Sequence, residues 1–275
     1  MSIDGGASGF PRLDDVAGWL ESLGLRAWIP GCSLAPPNAE ACARALPGVT
    51  TPAVRHVFSL PTSSTTGSSE LTGRELAAQE PAARERAVGQ LAATARRAAE
   101  ARAPWVIVDL GRAVPLPPVT APRERERGEH VLLDRLCRAL HEASRSEPQA
   151  GFALATPSEP DHWLTPAVLG HVFEELGSRR RLAYWHDAGR AHALEARGEG
   201  PAARWLDLHA KRCVGIDATD AVGAEASLPA GAGEVDFPAL LGAVAAATWV
   251  SLRSELATGP GPLLAAVRHL RAVRS

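Results

Sequence analysis

Apolar positions fall into two alternating patterns along this chain. Leu13, Val16, Ala17, Leu20 and Leu23 recur at helical spacing, and Gly24 follows as a stop signal. A short apolar run, Leu25–Ile29, comes next and reads as a strand. The same succession repeats to the end of the chain. Helical patterns over Asn38–Leu46, Glu80–Ala101, Glu129–Ser144, Pro166–Leu176, Pro201–Leu208, Phe237–Ala247 and Pro262–Val273 alternate with apolar runs at Val54–Leu60, Trp105–Leu110, Gly151–Ala155, Arg181–His186, Cys213–Ile216 and Trp249–Leu252. Strict alternation predicts a parallel sheet, because parallel neighbours need a crossover, usually a helix. Continuous runs such as WVIVDL predict strands buried on both faces. About seven strands and eight helices favour a closed barrel over an open sheet. The expected fold is therefore α/β, one (β/α)8 TIM-type barrel over residues 1–275, irregular at or missing its first strand. Residues 1–10 are polar and glycine-rich and predict an irregular or disordered start.

Composition narrows the function classes. A hydrophobic fraction of 45% and a charged fraction of 22% are ordinary globular chemistry. The formal net charge of −2 argues against a duplex-phosphate grip, so no nucleic-acid partner is expected. The start of the chain lacks the basic and apolar segments of a signal peptide, and no run of about 18 apolar residues occurs. No membrane association is expected, and the cytoplasm is the default location. Lys211 is the sole lysine among many arginines, a skew that suggests a GC-rich bacterial genome. Cys32, Cys42, Cys137 and Cys213 form no C-x-x-C pair and read as reduced core residues.

Three stretches carry a family resemblance. LAYWHDAGRA (Leu182–Ala191) is similar to a strand that ends in Asp-x-Gly-His-Ala. Val214–Phe237 resembles a strand, a loop and a closing Gly-x-Gly-Glu-Val-Asp-Phe segment, here Gly231 to Phe237. Arg84–Gly111 gives a long helix feeding a strand that ends in glycine. These resemble the xylose-isomerase-like family, which includes sugar-phosphate isomerases and epimerases and abasic-site endonucleases. The resemblance implies a site at the C-terminal ends of the strands. In that family two Glu, an Asp and one or two His hold a divalent metal, which polarises a carbonyl or fixes vicinal hydroxyls while carboxylates move a proton.

The ligand positions depart from that pattern. Thr156 stands where the family has Glu, Arg190 and Asp217 where it has His, and Ser251 where the last strand has Glu; Asp109 stands at a frequent His position. No metal and no cofactor is therefore expected. The carboxylates Asp187 and Asp217 are the candidate proton shuttles, or parts of an ion-pair network with Arg190. Arg190, Asp109, Trp185 and Thr156 are the candidate substrate contacts, with Arg190 as anion anchor and Trp185 stacking on a sugar face. A relocated metal set is the alternative: Asp187, Asp217 and Asp109 would point toward the barrel mouth, His186 and His192 lie beside Asp187, and Glu159 and His162 follow Thr156. His56 reads as a structural strand residue, Arg123–Arg127 (RERER) as a solvated loop, and the glycines at 231 and 233 as turn residues.

The expected activity is that of a divergent, metal-independent sugar or polyol isomerase or epimerase. The alternatives are a non-catalytic barrel that binds a metabolite or pairs with a homologue, including as an oligomer, and an abasic-site endonuclease. The first two need a polar pocket at the strand ends; only the first needs a poised base.

Overall fold

The computed structural model describes residues 2–5, 27–30, 53–56, 76–110, 122–157, 164–177, 181–253 and 260–274. The expected helices at 13–23 and 38–46, the segment 61–69, Glu159, His162, Cys32 and Cys42 lie outside them.

In chain order the strands are β1 (Ser2–Gly5), β2 (Ala27–Pro30), β3 (Ala53–His56), β4 (Trp105–Val108), β5 (Gly151–Ala155), β6 (Leu182–Asp187), β7 (Cys213–Asp217), β8 (Thr219–Val222), β9 (Glu225–Pro229) and β10 (Trp249–Arg253). The helices of four or more residues are α1 (Pro81–Glu100), α2 (Pro122–Ser146), α3 (Pro166–Leu176), α4 (Ala188–Ala196), α5 (Ala203–His209), α6 (Phe237–Gly242) and α7 (Pro260–Arg274). Eight strands form one parallel sheet in the order β2-β1-β10-β7-β6-β5-β4-β3. The two ends of that order, β2 and β3, lie beside each other, so the sheet curls into a barrel, although no ladder joins them among the described residues.

The strand missing from the periodicity is β1. Its four residues, SIDG, carry one apolar side chain, too little for a sequence signal. It forms because β2 and β10 flank it and satisfy its backbone on both sides. Residues 2–5 thus form a strand. RERER is also not a loop: it lies in the first part of α2, which begins at Pro122, with Arg123, Glu124, Glu126 and Arg127 exposed. Proline is favoured in the first helical turn, where its missing N–H costs nothing. Two further elements have no counterpart in the sequence reading, α4 and the β8–β9 hairpin.

Strand alternation sorts the core into two layers. Val106, Val108, Phe152, Leu154, Leu182 and Tyr184 pack outward against helix residues such as Leu91, Leu136, Leu140, Leu169 and Phe173. Ile107, Ala153, Ala155, Ala183 and Trp185 pack inward with Trp105 and Trp249. The β6–β7 ladder shifts register between Tyr184 and Trp185, so that Trp185 pairs with Gly215 and Asp187 with Asp217. One extra residue on β7 thereby turns Gly215 and Asp217 inward. A Cβ on Gly215 would run into the Trp185 ring, so the glycine is what lets that indole fill the barrel. No helix among the described residues is long and apolar enough to cross a membrane.

Candidate functional site

Among the described residues, the C-terminal ends of the barrel strands bring three aspartates and two arginines together. Asp109 follows β4, Asp187 ends β6 and Asp217 ends β7, all on inward positions. Arg190 sits in the first turn of α4. Its Nη1 donates to Asp109 Oδ2 at 2.6 Å, and its Nε lies 3.2 Å from Asp187 Oδ2. Asp187 is also the N-cap of α4: its Oδ1 accepts from the Arg190 N–H at 3.0 Å and from the Thr219 hydroxyl at 2.5 Å. Arg55 reaches across from β3, and its Nη2 donates to Asp217 Oδ2 at 2.6 Å. The second oxygen of Asp217 accepts from Trp185 Nε1 at 2.9 Å. Burial disfavours the Arg190 charge, but Asp109 and Asp187 outweigh it and hold the guanidinium charged well above its ordinary range.

Access separates these groups. The side chains of Asp187 and Asp217 are 2% and 1% exposed, whereas Arg190 and Asp109 retain 15% and 25%. Among the described residues, this cluster therefore presents an arginine–carboxylate pair and buries the other two carboxylates.

Two expected contacts face elsewhere. Trp185 is fully buried inside the barrel, so its ring offers no face for a sugar to stack on. Thr156 is fully buried too and follows the outward positions Phe152 and Leu154. Its hydroxyl bonds Tyr184 Oη at 2.7 Å and accepts from the Asp187 N–H at 2.9 Å, leaving its carbonyl to accept from Arg190 Nη1 at 3.3 Å. Asp217 likewise pairs with Arg55 rather than with Arg190. Arg55, Thr219 and Asp220 are missing from the sequence reading. An arginine within a strand of the parallel sheet is the available signal for Arg55, since a buried charge needs a partner.

Of the relocated metal set, Glu159 and His162 lie outside the described residues. His186 faces the helix layer and His192 lies on α4 beside Glu234, at 3.4 Å. Among the described residues no group of three or more His, Cys, Asp or Glu could hold a metal ion. The glycines at 231 and 233 do cradle an anion, but it is the chain's own Asp220. That carboxylate accepts from the N–H groups of Ala221, Gly231, Gly233 and Val235 at 2.9–3.0 Å. It ties the hairpin to the segment that leads into α6.

Behind β6, Tyr184 Oη lies 2.8 Å from His186 Nδ1. One arrangement uses every hydroxyl proton: Asp187 N–H to Thr156, Thr156 to Tyr184, and Tyr184 to a neutral His186. Burial pushes His186 down from 6.5 to about 3, which keeps the imidazole neutral. The unfolded chain then takes up this proton first, so the contribution is complete above pH 6.5 and is lost as pH falls toward 3. Stability is expected to drop by about 2 kcal/mol between pH 7.5 and pH 5 from this residue, with His209, also lowered by burial, adding in the same direction. Urea unfolding across that range checks it. A His186→Asn variant with an unchanged slope would contradict the assignment.

No protein-family model matches the sequence, and no curated protein matches it. Solved structures do match. The 3-keto-D-glucoside 4-epimerase YcjR from E. coli superposes with a TM-score of 0.69 at 14% identity, over 99% of this chain and 98% of that one. A xylose isomerase domain protein from Planctomyces limnophilus gives 0.67 at 15%, over 99% and 95%. Endonuclease IV from Thermus thermophilus gives 0.63 at 16%, over 99% and 98%. The chain has the fold of the xylose-isomerase-like TIM barrels.

Proposed function

We propose that this chain is a binding barrel for a small sugar or polyol, with recognition at the mouth and no proton transfer to or from carbon. One observation carries the reading. The carboxylates that would serve as proton shuttles, Asp187 and Asp217, are sealed at 2% and 1% exposure, while Arg190 and Asp109 are the accessible members of the cluster among the described residues. A general base must come within hydrogen-bond reach of the proton it takes. Neither sealed aspartate offers that reach, and both already accept from an arginine. Arg190 and Asp109 suit a different task. Guanidinium N–H groups donate to hydroxyl oxygens and a carboxylate accepts from hydroxyl hydrogens, so the pair matches neighbouring hydroxyls on a carbon chain.

The epimerase and isomerase names among the structural matches support sugars as the ligand class. A nuclease reading draws no support from a net charge of −2.

Calorimetric titration with D-fructose, D-tagatose, D-sorbitol and their phosphates tests the binding. At least one should bind saturably and lose roughly tenfold in affinity in Asp109→Asn, as expected for one charge-assisted hydrogen bond. NMR of the bound sugar in D2O tests the second half. Solvent deuterium appearing on a carbon of the ligand would establish an isomerase or epimerase and sink the binding-only reading; no saturable binding anywhere in the panel would sink both.

A further inference from the structure

We infer that the Arg190 guanidinium is the resident cation of the barrel mouth, standing between Asp109 and Asp187 where the family resemblance would seat a divalent ion. This inference does not depend on the ligand reading.

Four features carry it. The guanidinium joins carboxylates from two different strand ends, at 2.6 Å to Asp109 and 3.2 Å to Asp187. Its placement is fixed at the backbone as well, because Asp187 caps the helix turn that carries Arg190. The third carboxylate of the cluster, Asp217, faces Arg55 at 2.6 Å. Finally, Ser251 pairs in register with Asp217, on the last strand where the family has Glu. Its hydroxyl is fully buried, without a hydrogen-bond partner, and carries no negative charge to offer a metal.

Among the described residues, the donor set therefore does not fit a divalent ion. A metal entering between Asp109 and Asp187 would have to displace an arginine covalently held in place, and would meet its positive charge on the way. A guanidinium supplies directional N–H donors and a permanent charge. It neutralises and positions the two carboxylates without being exchangeable.

The inference predicts a latent metal site that appears when the guanidinium is removed. Wild-type protein, Arg190→His and Arg190→Ala would each be stripped with EDTA. They would then be titrated with Mn2+, Co2+ and Zn2+, following melting temperature and, after gel filtration, metal content by mass spectrometry. The wild type should carry no stoichiometric metal and show no metal-dependent rise in melting temperature. Arg190→His should gain at least about tenfold in divalent affinity over wild type, since imidazole and two carboxylates are ordinary ligands. The gain should vanish in Arg190→His/Asp109→Asn, which excludes binding by surface histidines. Stoichiometric metal in the wild type overturns the inference whether or not the variants fold. So does an Arg190→His protein that binds metal no better than wild type.

Discussion

Replacing Asp217 with alanine is expected to lower the unfolding free energy by about 3–5 kcal/mol, the range for breaking a buried ion pair from one side. Arg55 would keep its charge in a barrel interior where its side chain is only 10% exposed, without the carboxylate it faces at 2.6 Å. Trp185 would lose the acceptor for its indole N–H at the same time. The cost comes from removing one partner of a buried pair and the acceptor of a buried donor, rather than from the net worth of the pair. A double variant, Arg55→Met/Asp217→Leu, should therefore recover much of the loss, since apolar replacement of a whole buried pair is often neutral. Urea denaturation of the wild type, both single variants and the double variant measures this. An Asp217→Ala protein within about 1 kcal/mol of wild type would show that the pair behaves as a surface one.

The second large effect is expected at Asp220. Its carboxylate is the shared acceptor for four backbone N–H groups, and its own side chain is buried. Each amide left without an acceptor costs about 1 kcal/mol or more, so Asp220→Ala should lose on the order of 4 kcal/mol or release the segment from 219 to 236 locally. Asp220→Asn should rescue only part, because one carboxylate oxygen becomes an NH2 group aimed at two N–H donors. Hydrogen exchange read by mass spectrometry distinguishes the two responses: protection should fall in the hairpin and the following loop and persist in β5 and β6. Unchanged protection at residues 221, 231, 233 and 235 would mean that the cradle holds without its anion.

The legibility of this chain tracked where each signal resides. Strands such as GFALA and WVSL are apolar runs and declare themselves. β1 owes its existence to neighbours that SIDG does not encode. The hairpin is equally silent, because Asp220 organises it through backbone N–H groups, which every sequence possesses. In the site, Asp109, Asp187 and Arg190 stood out by motif and do meet. Thr156 and Trp185 lie in the same neighbourhood but are buried. Thr156 falls on the outward series of β5, and Trp185, though inward, sits below the mouth against Gly215. Arg55 escaped because its partner is 162 positions away, a distance no local pattern spans.

That separation has a consequence for the order in which the molecule assembles. The ion pair between β3 and β7 can close only after strands from both halves of the chain have come to face each other, and its loop-closure entropy is met late. Such a contact belongs to the native side of the folding barrier rather than to its summit. It works as a latch: Asp217→Ala should speed unfolding by nearly the full equilibrium loss and leave the refolding rate close to that of the wild type.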